Sequence, residues 1–437
     1  MALSKIESVK TEANDPKGLM GWVDARLPVT SFVKAHLTEY YAPKNFNFWY
    51  FFGSLALLIL VLQIVTGIFL TMHYKPDAQL AFASVEYIMR DVFGGNIIRY
   101  MHSTGASMFF VVVYLHMFRG LIYGSYRNPR ELIWLFGVGI FLVLMGEAFF
   151  GYLLPWGQMS YWGAQVIVNL FATIPFIGPD LSEWLRGDYL ISDATLNRFF
   201  AFHVIALPFV LAGLVAVHLV ALHEVGSNNP DGIEIKANKD KKTGIPLDGI
   251  PFHPYYTVKD LVGVVVFLIV FASILFFSPE MGGYFIEANN FVPADPLKTP
   301  AHIAPVWYFT PYYSILRAVP PIFNSQFPGV AAMGLSVMIF ALLPWLDKSP
   351  VKSIRYRGGL YKKWLAAFVV SFLVLGYLGT VPSNIWGQFG SWLSGADRAT
   401  VVARVFTVIY FAFFILMPWY TARDKIKPVP ERLTKIK

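Results

Sequence analysis

The sequence contains no cysteine, and this absence excludes several kinds of site. A chain without thiols forms no disulfide, binds no iron–sulfur cluster through thiolates and attaches no c-type haem covalently. Charge is also scarce, because Asp, Glu, Lys and Arg make up only 14% of the residues. So few charged side chains cannot cover the surface of a water-soluble protein of 437 residues. We therefore expect a membrane protein in which any haem is held non-covalently.

Long apolar runs are plentiful, and the mean hydropathy is +0.53. A helix needs about 20 mostly apolar residues to cross roughly 30 Å of hydrocarbon. Eight segments meet this requirement: 48–72, 100–122, 133–153, 198–222, 260–277, 328–347, 362–381 and 401–420. The sequence thus predicts an all-α integral membrane protein with eight transmembrane helices.

The formal net charge of +8 could indicate a nucleic-acid partner, but Lys and Arg are concentrated in alternate connections between the spans. The positive-inside rule makes these connections and both termini cytoplasmic and removes the need for nucleic acid. Residues 5–44 lack the apolar core of a cleavable signal, so we interpret them as a cytoplasmic arm with a surface helix on membrane lipid. The connections 154–197 and 278–327 are then long outer loops, which predicts either an outer site or partner docking.

Four of the nine histidines lie within spans, His102 and His116 in the second and His203 and His218 in the fourth. Residues 14 apart return to within about 40° of one helix face and lie about 21 Å apart along the axis. If the fourth span faces the second, two bis-imidazole haem sites form at two depths. The alternative for each histidine is an interhelical hydrogen bond.

Glycines repeat this 14-residue spacing at Gly53 and Gly67 in the first span and at Gly137 and Gly151 in the third. A missing side chain lets a porphyrin approach the backbone, although small residues also serve helix packing.

Three arginines lie near the histidines at the span ends, namely Arg99, Arg119 and Arg198. Each guanidinium is suited to a haem propionate, or it anchors the span end at the interface.

Six motifs carry a wider resemblance: QIVTG at 63–67, IIRYMH at 97–102, GYLLPWGQMS at 151–160, RFFAFH at 198–203, HEVGSNNP at 223–230 and FHPYYTVKD at 252–260. With these motifs the chain resembles cytochrome b of the proton-translocating quinol–cytochrome c oxidoreductases, in its bacterial type, from about residue 48 to the C-terminus.

The resemblance implies an N-terminal arm at 1–47, a four-helix domain with two b-type haems at 48–225, a cytoplasmic loop at 226–259 and a C-terminal four-helix domain at 260–437. It implies that His102 and His203 ligate a low-potential haem near the outer face. By the same resemblance, His116 and His218 ligate a high-potential haem near the cytoplasm.

Two quinone sites are implied as well, with ubiquinone the expected quinone. His223, Ser227 and Asp260 match the quinone-reduction site, and Lys259 matches a neighbour in proton delivery; without the family, His223 and Asp260 would look like ordinary span-end residues. The quinol-oxidation site is implied near Tyr152, Gly163, Pro305, Trp307, Tyr308 and Tyr313.

The family mechanism sends one quinol electron to a Rieske iron–sulfur protein and the other across both haems, so protons leave outside and enter inside. The implied partners are the Rieske protein, a c-type cytochrome subunit and a second copy of the chain. The expected location is a bacterial cytoplasmic membrane.

The sequence departs from mitochondrial relatives in the fourth span, where fourteen residues instead of thirteen separate His203 and His218. The extra residue rotates His218 by about 100° unless the helix absorbs it. A kink at Pro208 or a π-bulge would restore the face, and the photosynthetic cytochrome bf relatives are similar in this spacing.

A second departure is Val306, which stands where the family motif Pro-Glu-Trp-Tyr has a carboxylate. Glu147 is unexpected in the third span, where an acid is expensive. We interpret Glu147 as a relocated proton acceptor for quinol; the alternative is a hydrogen bond to a neighbour.

Two other functions remain open. A di-haem anchor of a peripheral dehydrogenase would pass electrons to quinone, and a haem-free transporter would use His and Glu as a proton relay. A visible spectrum separates them, because two b-type signals exclude the transporter.

Overall fold

In a computed structural model the described residues are 18–389 and 397–433, and most of them are helical. Within these residues eight helices are long and apolar enough to cross a membrane: Phe48–Thr71, Gly95–Tyr123, Glu131–Leu153, Asp193–Val225, Phe252–Phe277, Phe327–Leu346, Gly359–Thr380 and Arg398–Ile415. The predicted fold class is confirmed. The arm before residue 18 and part of the connection between the seventh and eighth predicted spans lie outside the described residues.

Shorter elements lie before, between and after the spans. The short helices are Gly18–Asp24, Val29–Val33, Ala81–Arg90, Gln158–Phe171, Gly178–Arg186, Thr310–Ala318 and Met417–Arg423, and the strands are Tyr41–Pro43 and Gly249–Pro251.

The eighth span ends five residues earlier than expected, at Ile415 instead of residue 420. Pro418 has no amide proton to donate to the carbonyl of Phe414, so a continuous helix cannot pass this point. A separate helix, Met417–Arg423, follows.

The chain divides into two compact units. The smaller comprises the described parts of Met1–Lys44 and Glu234–Val262, and the larger comprises Asn45–Ile233 and Gly263–Lys437. In the smaller unit the two strands pair antiparallel with Ala42 opposite Ile250. The ammonium of Lys44 lies 2.6 Å from the carboxylate of Asp248, which stabilises the end of this pair.

In the larger unit the first span packs along the second, and the third packs along the fourth. The second span is the most buried of the eight, with half of its most apolar stretch buried, so its residues face neighbours on several sides. Phe110 and Phe141 are fully buried between these helices. This arrangement brings side chains of the second and fourth spans against the backbones of the first and third.

The last three spans enclose a second core rich in buried tyrosine. Tyr410 donates to the carbonyl of Ser336 and Tyr361 to the carbonyl of Leu121, each at 2.7 Å. Buried hydroxyls need such partners where no water is available. The first bond joins the eighth span to the sixth, and the second joins the seventh span to the second.

Candidate haem-binding and quinol sites

Each of the four span histidines faces one of the four glycines predicted to accompany them. In the first span, a Cβ atom built on Gly53 would lie 3.4 Å from His116 Cε1, and one built on Gly67 would lie 3.3 Å from His102 Cε1. In the third span, a Cβ atom built on Gly137 would lie 3.5 Å from His218 Cε1. A Cβ atom on Gly151 would clash with the His203 ring. The shared 14-residue spacing therefore reflects two levels of imidazole–glycine contact. Glycines of the first span contact histidines of the second, and glycines of the third contact histidines of the fourth.

The outer pair, His102 and His203, is also close across the bundle. Their ring centroids are 6.0 Å apart and the ring planes are inclined at 88°. Two imidazoles from opposing helices are thus available to one group placed between them, as the pairing predicted from the sequence requires.

Hydrogen bonds identify which nitrogen of each outer imidazole is free to bind a metal. The hydroxyl of Thr66 donates to the carbonyl of Leu62 at 2.6 Å, so it accepts from His102 Nδ1 at 2.9 Å. His203 Nδ1 lies 3.0 Å from both the carbonyl oxygen and the carboxylate Oε1 of Glu147, and its proton is shared between these two acceptors. Because Nδ1 carries the proton in both rings, Nε2 is the atom left for coordination.

At the inner level, buried polar atoms lack partners among the described residues. His116 Nδ1 and Arg119 Nε are two of them, although buried polar groups normally have a hydrogen-bond partner. Within residues 18–389 and 397–433 no group of three or more His, Asp or Glu could hold a bare metal ion. Paired imidazoles, facing glycines and unsatisfied cationic groups fit a porphyrin that brings its own iron and carboxylates.

The three arginines differ in their surroundings. Arg99 lines the outer cavity beside His102, and the Arg119 guanidinium lies 5.0 Å from the centroid of the Tyr50 ring. Arg198 is exposed and donates to the carbonyl of Trp184 in the short helix Gly178–Arg186.

The fourth span contains a π-helical turn at Phe202–Ala206, immediately before the α-helix Leu207–Val225. A π turn accommodates one more residue than an α turn. Pro208 follows at the start of the next segment, where it cannot donate a backbone hydrogen bond. The turn absorbs the extra residue between His203 and His218, and both rings face the third span, as the contacts with its glycines show.

A cavity of about 280 Å³ connects the outer histidines with the outer loops. His102 and His203 line one part of it, and Tyr152, Val306 and Tyr308 line another. Most of the remaining wall is apolar, which suits a hydrophobic ligand whose polar groups meet a few side chains.

Tyr152 and Gly163 are brought together as expected, because a Cβ atom on Gly163 would lie 3.6 Å from Tyr152 Cε1. In the motif before the sixth span, Pro305 is half-buried and Val306 and Tyr308 are buried. The Tyr308 ring stacks on Phe110 with centroids 3.9 Å apart.

Trp307 and Tyr313, in the same part of the chain, do not line the cavity and make other hydrogen-bond contacts. Trp307 Nε1 donates to the hydroxyl of Ser107 at 3.2 Å, and the Tyr313 hydroxyl lies 3.5 Å from the carbonyl of Ile303. These contacts hold the segment against the second span and close the loop on itself.

Glu147 lines the cavity, but its carboxylate contacts a histidine. Its Oε1 is 3.0 Å from His203 Nδ1, and its Oε2 has no partner among the described residues. This contact corresponds to the alternative in which Glu147 bonds a neighbour, and it leaves one carboxylate oxygen uncommitted.

Sequence reasoning missed Glu287, which lies in the long loop before the sixth span. The Tyr152 hydroxyl donates to Glu287 Oε2 at 2.7 Å. Burial raises the pKa of Glu287 to about 7, although the hydrogen bond from Tyr152 acts in the opposite direction. An isolated acid in an irregular loop has no periodicity, so only the fold reveals this contact.

The residues matched to the quinone-reduction site fall in both units. His223 lies in the last turn of Leu207–Val225 and Ser227 just beyond it, where Arg130 Nε donates to the Gly226 carbonyl at 2.9 Å. Lys259 and Asp260 belong to the smaller unit. They lie in the first turn of the helix Thr257–Phe277. The Lys259 ammonium is 5.7 Å from the centroid of the Tyr256 ring.

Comparisons with known proteins show the family of this chain. The family model "Cytochrome b/b6/petB" matches residues 37–226, and "Cytochrome b(C-terminal)/b6/petD" matches residues 293–411. Cytochrome b of Allochromatium vinosum is 64% identical over 95% of this chain and 98% of the relative. Cytochrome b of Rhodobacter capsulatus is 44% identical over 95% of this chain and 94% of the relative. A solved chain titled "Hyperthermophilic respiratory Complex III" superposes with a TM-score of 0.82 at 37% identity, covering 93% of this chain and 99% of its own. This chain therefore belongs to the cytochrome b family, the membrane-bound redox subunits of quinol–cytochrome c oxidoreductases.

Proposed function

We propose that the chain oxidises quinol near the outer membrane face, moves electrons inward through two b-type haems and reduces quinone near the cytoplasm. His102 and His203 hold the outer, low-potential haem in this proposal, and His116 and His218 hold the inner, high-potential haem. The single observation that carries it is the cavity shared by His102, His203, Tyr152, Val306 and Tyr308. A quinol bound there lies beside the outer haem position.

When bound, the haems supply one-electron carriers at two depths of the membrane. The chain's own residues orient them: Thr66 and Glu147 accept from Nδ1 of the outer histidines, and four glycines leave room along the helix backbones. Gly53 and Gly137 do so at the inner level, and Gly67 and Gly151 at the outer. Arg99 and Arg119 supply positive charge for haem propionates. Arg198, matched from the sequence to the same role, has its guanidinium on the Trp184 carbonyl.

At the quinol site, apolar walls exclude water while Tyr152 and Tyr308 present polar edges to the ring. The sequence-based proposal for Glu147 is retained: its carboxylate borders the cavity and takes up a quinol proton on the haem side. Pro305, Trp307 and Tyr313 hold the loop that carries Val306 and Tyr308.

Quinone reduction consumes protons and needs groups that donate them. We propose His223, Ser227 and Asp260 for binding quinone and Lys259 for proton delivery, on the strength of their match to the family motifs. Asp260→Asn should slow re-oxidation of the inner haem by quinone while reduction by quinol through the outer site continues. Equal loss of both activities in a haem-replete variant would contradict this assignment.

The proposed partners are a Rieske iron–sulfur protein, a c-type cytochrome subunit and a second copy of the chain. Ubiquinone is the proposed quinone, in a bacterial cytoplasmic membrane with both termini cytoplasmic. The likeness to a solved complex III chain supports assembly with partner subunits, and the alternating positive connections support cytoplasmic termini.

The test is a visible spectrum and a quinol–cytochrome c reductase assay on the complex purified from its native membrane. Two b-type signals, both reduced by quinol, are expected together with reduction of cytochrome c. Absence of haem would indicate the transporter, and quinone reduction without cytochrome c reduction would indicate the dehydrogenase anchor.

A further inference from the structure

The outer loop before the sixth span holds a carboxylate against the wall of the quinol cavity. Tyr152 lines the cavity, and its hydroxyl donates to Glu287 Oε2 at 2.7 Å. Glu287 itself is half-buried, and the next two residues, Ala288 and Asn289, are exposed. The acid thus lies between a cavity-lining phenol and the outer surface.

This position is fixed by a network that ties the loop to the helix Gln158–Phe171. Asn290 Oδ1 accepts from the amide of Ser160 at 2.8 Å, and the carbonyl of Val292 accepts from the amide of Gln158 at 2.9 Å. Asn290 also lies on the cavity wall. These bonds anchor the backbone of the loop and so keep Glu287 within hydrogen-bond distance of Tyr152.

The pocket needs more than one proton acceptor, because oxidation of a quinol to a quinone releases two protons. Val306, 3% exposed on the cavity wall, cannot accept one. Glu147 has one carboxylate oxygen on His203 Nδ1. A second acid, hydrogen-bonded to the cavity-lining Tyr152, can accept the other proton.

We propose that Glu287 takes up a quinol proton through Tyr152 and passes it to the outer face. The quinol hydroxyl donates its proton to the Tyr152 oxygen as the phenol proton of Tyr152 moves to the Glu287 carboxylate. One O–H bond breaks and one forms at each of these transfers, and the electron leaves by the route already proposed. This inference rests on the proposed quinol-oxidation function.

The electrostatics suit this role. Burial raises the pKa of Glu287 to about 7, so the group is poised to accept and release protons near neutral pH. The titratable groups that face it are the phenols of Tyr152 and Tyr308. Neither phenol carries charge near neutrality, so the carboxylate is not held in one protonation state by an ion pair.

The experiment uses the intact complex in its membrane and compares Glu287→Gln with a matched control, Glu280→Gln. Glu280 lies in the same loop and accepts from the Tyr100 hydroxyl at 3.2 Å. The first readout is the rate at which quinol reduces the outer haem across pH. The second is the infrared carboxyl band of the oxidised complex during a pH titration, which requires no turnover.

In the parent the rate should fall as pH drops below about 7, because the protonated carboxyl cannot accept. Glu287→Gln should remove this step and slow the reaction about a hundredfold or more well above pH 7, because a general base contributes roughly 100- to 10,000-fold to a rate. The titrating band should disappear as well. Glu280→Gln should keep both the band and the pH step.

Tyr152→Phe should cause the same loss, and combining it with Glu287→Gln should add little, because the two groups form one path. Glu287→Asp should retain a weaker pH step. An unchanged rate profile and an unchanged carboxyl band in Glu287→Gln would overturn the inference. A parent complex that fails to oxidise quinol would instead overturn the proposed function.

Discussion

Gly67 of the first span faces His102 of the second so closely that an added Cβ atom would lie 3.3 Å from His102 Cε1. The glycine and the imidazole form one structural unit, because a side chain at position 67 would occupy the space beside the ring. The same relationship links Gly137 to His218, where the distance is 3.5 Å.

Gly67→Val should therefore deplete the outer haem and Gly137→Val the inner haem, each leaving the other in place. A branched side chain at either position meets the imidazole directly and displaces it. Gly213→Val is the matched control, since a Cβ atom there meets nothing within 4 Å. Redox-difference spectra of purified complexes report each haem, and loss of both signals from one substitution would indicate a general folding defect instead.

Replacing a histidine should remove a haem according to depth. His102→Leu and His203→Leu should lose the same outer signal, and His116→Leu and His218→Leu the same inner signal, because one axial imidazole cannot maintain bis-imidazole ligation. Low-temperature spectra distinguish the two. Loss of the inner signal in His203→Leu would show that the pairing across the bundle is wrong.

Glu147→Gln distinguishes the two roles proposed for this acid, namely contact with His203 and uptake of a quinol proton. The carboxylate on His203 Nδ1 increases the basicity of the ligand, so its removal should raise the potential of the outer haem. We expect a rise of up to about 59 mV, a tenfold change for a one-electron couple. Redox titration measures it, with Glu147→Asp as the control and the inner haem as internal reference. Slower quinol oxidation at an unchanged potential would assign Glu147 to proton uptake alone.

Deleting Ile205 tests the π-helical turn Phe202–Ala206. Ile205 is 69% exposed, and its removal should convert the turn to an α turn, with His203 and His218 then 14 apart as in the second span. Both haems should persist. Deletion of Gly213, outside the turn, should rotate His218 by about 100° and lose the inner haem. Equal haem loss in the two deletions would show that the turn does not absorb the extra residue.

The sequence predicted the spans and the histidine–glycine framework because both follow strict periodicities. A membrane fixes the length of an apolar helix, and a 14-residue spacing returns a side chain to nearly the same face. Even the irregularity near Pro208 was expected as a kink or a π-bulge, since the spacing between His203 and His218 required one.

Contacts made by irregular segments cannot be predicted from periodicity or apolar length. Nothing in the spacing of residues relates Glu287 to Tyr152, and hydropathy does not reveal that Arg198 donates to the Trp184 carbonyl. Roles taken from the family motifs, such as those of His223 and Asp260, stay predictions because they depend on quinone chemistry.

The hydrogen bond between Tyr152 and Glu287 joins residues 135 positions apart, and the Asn290–Ser160 bond joins residues 130 apart. All four histidines, by contrast, precede residue 219. During synthesis from the N-terminus the complete histidine framework can therefore emerge and insert while the loop that closes the quinol pocket is still unmade. Under the proposed function, haem loading can thus precede quinol turnover in biogenesis, so an unfinished chain would be able to hold its cofactors before it could receive electrons from quinol.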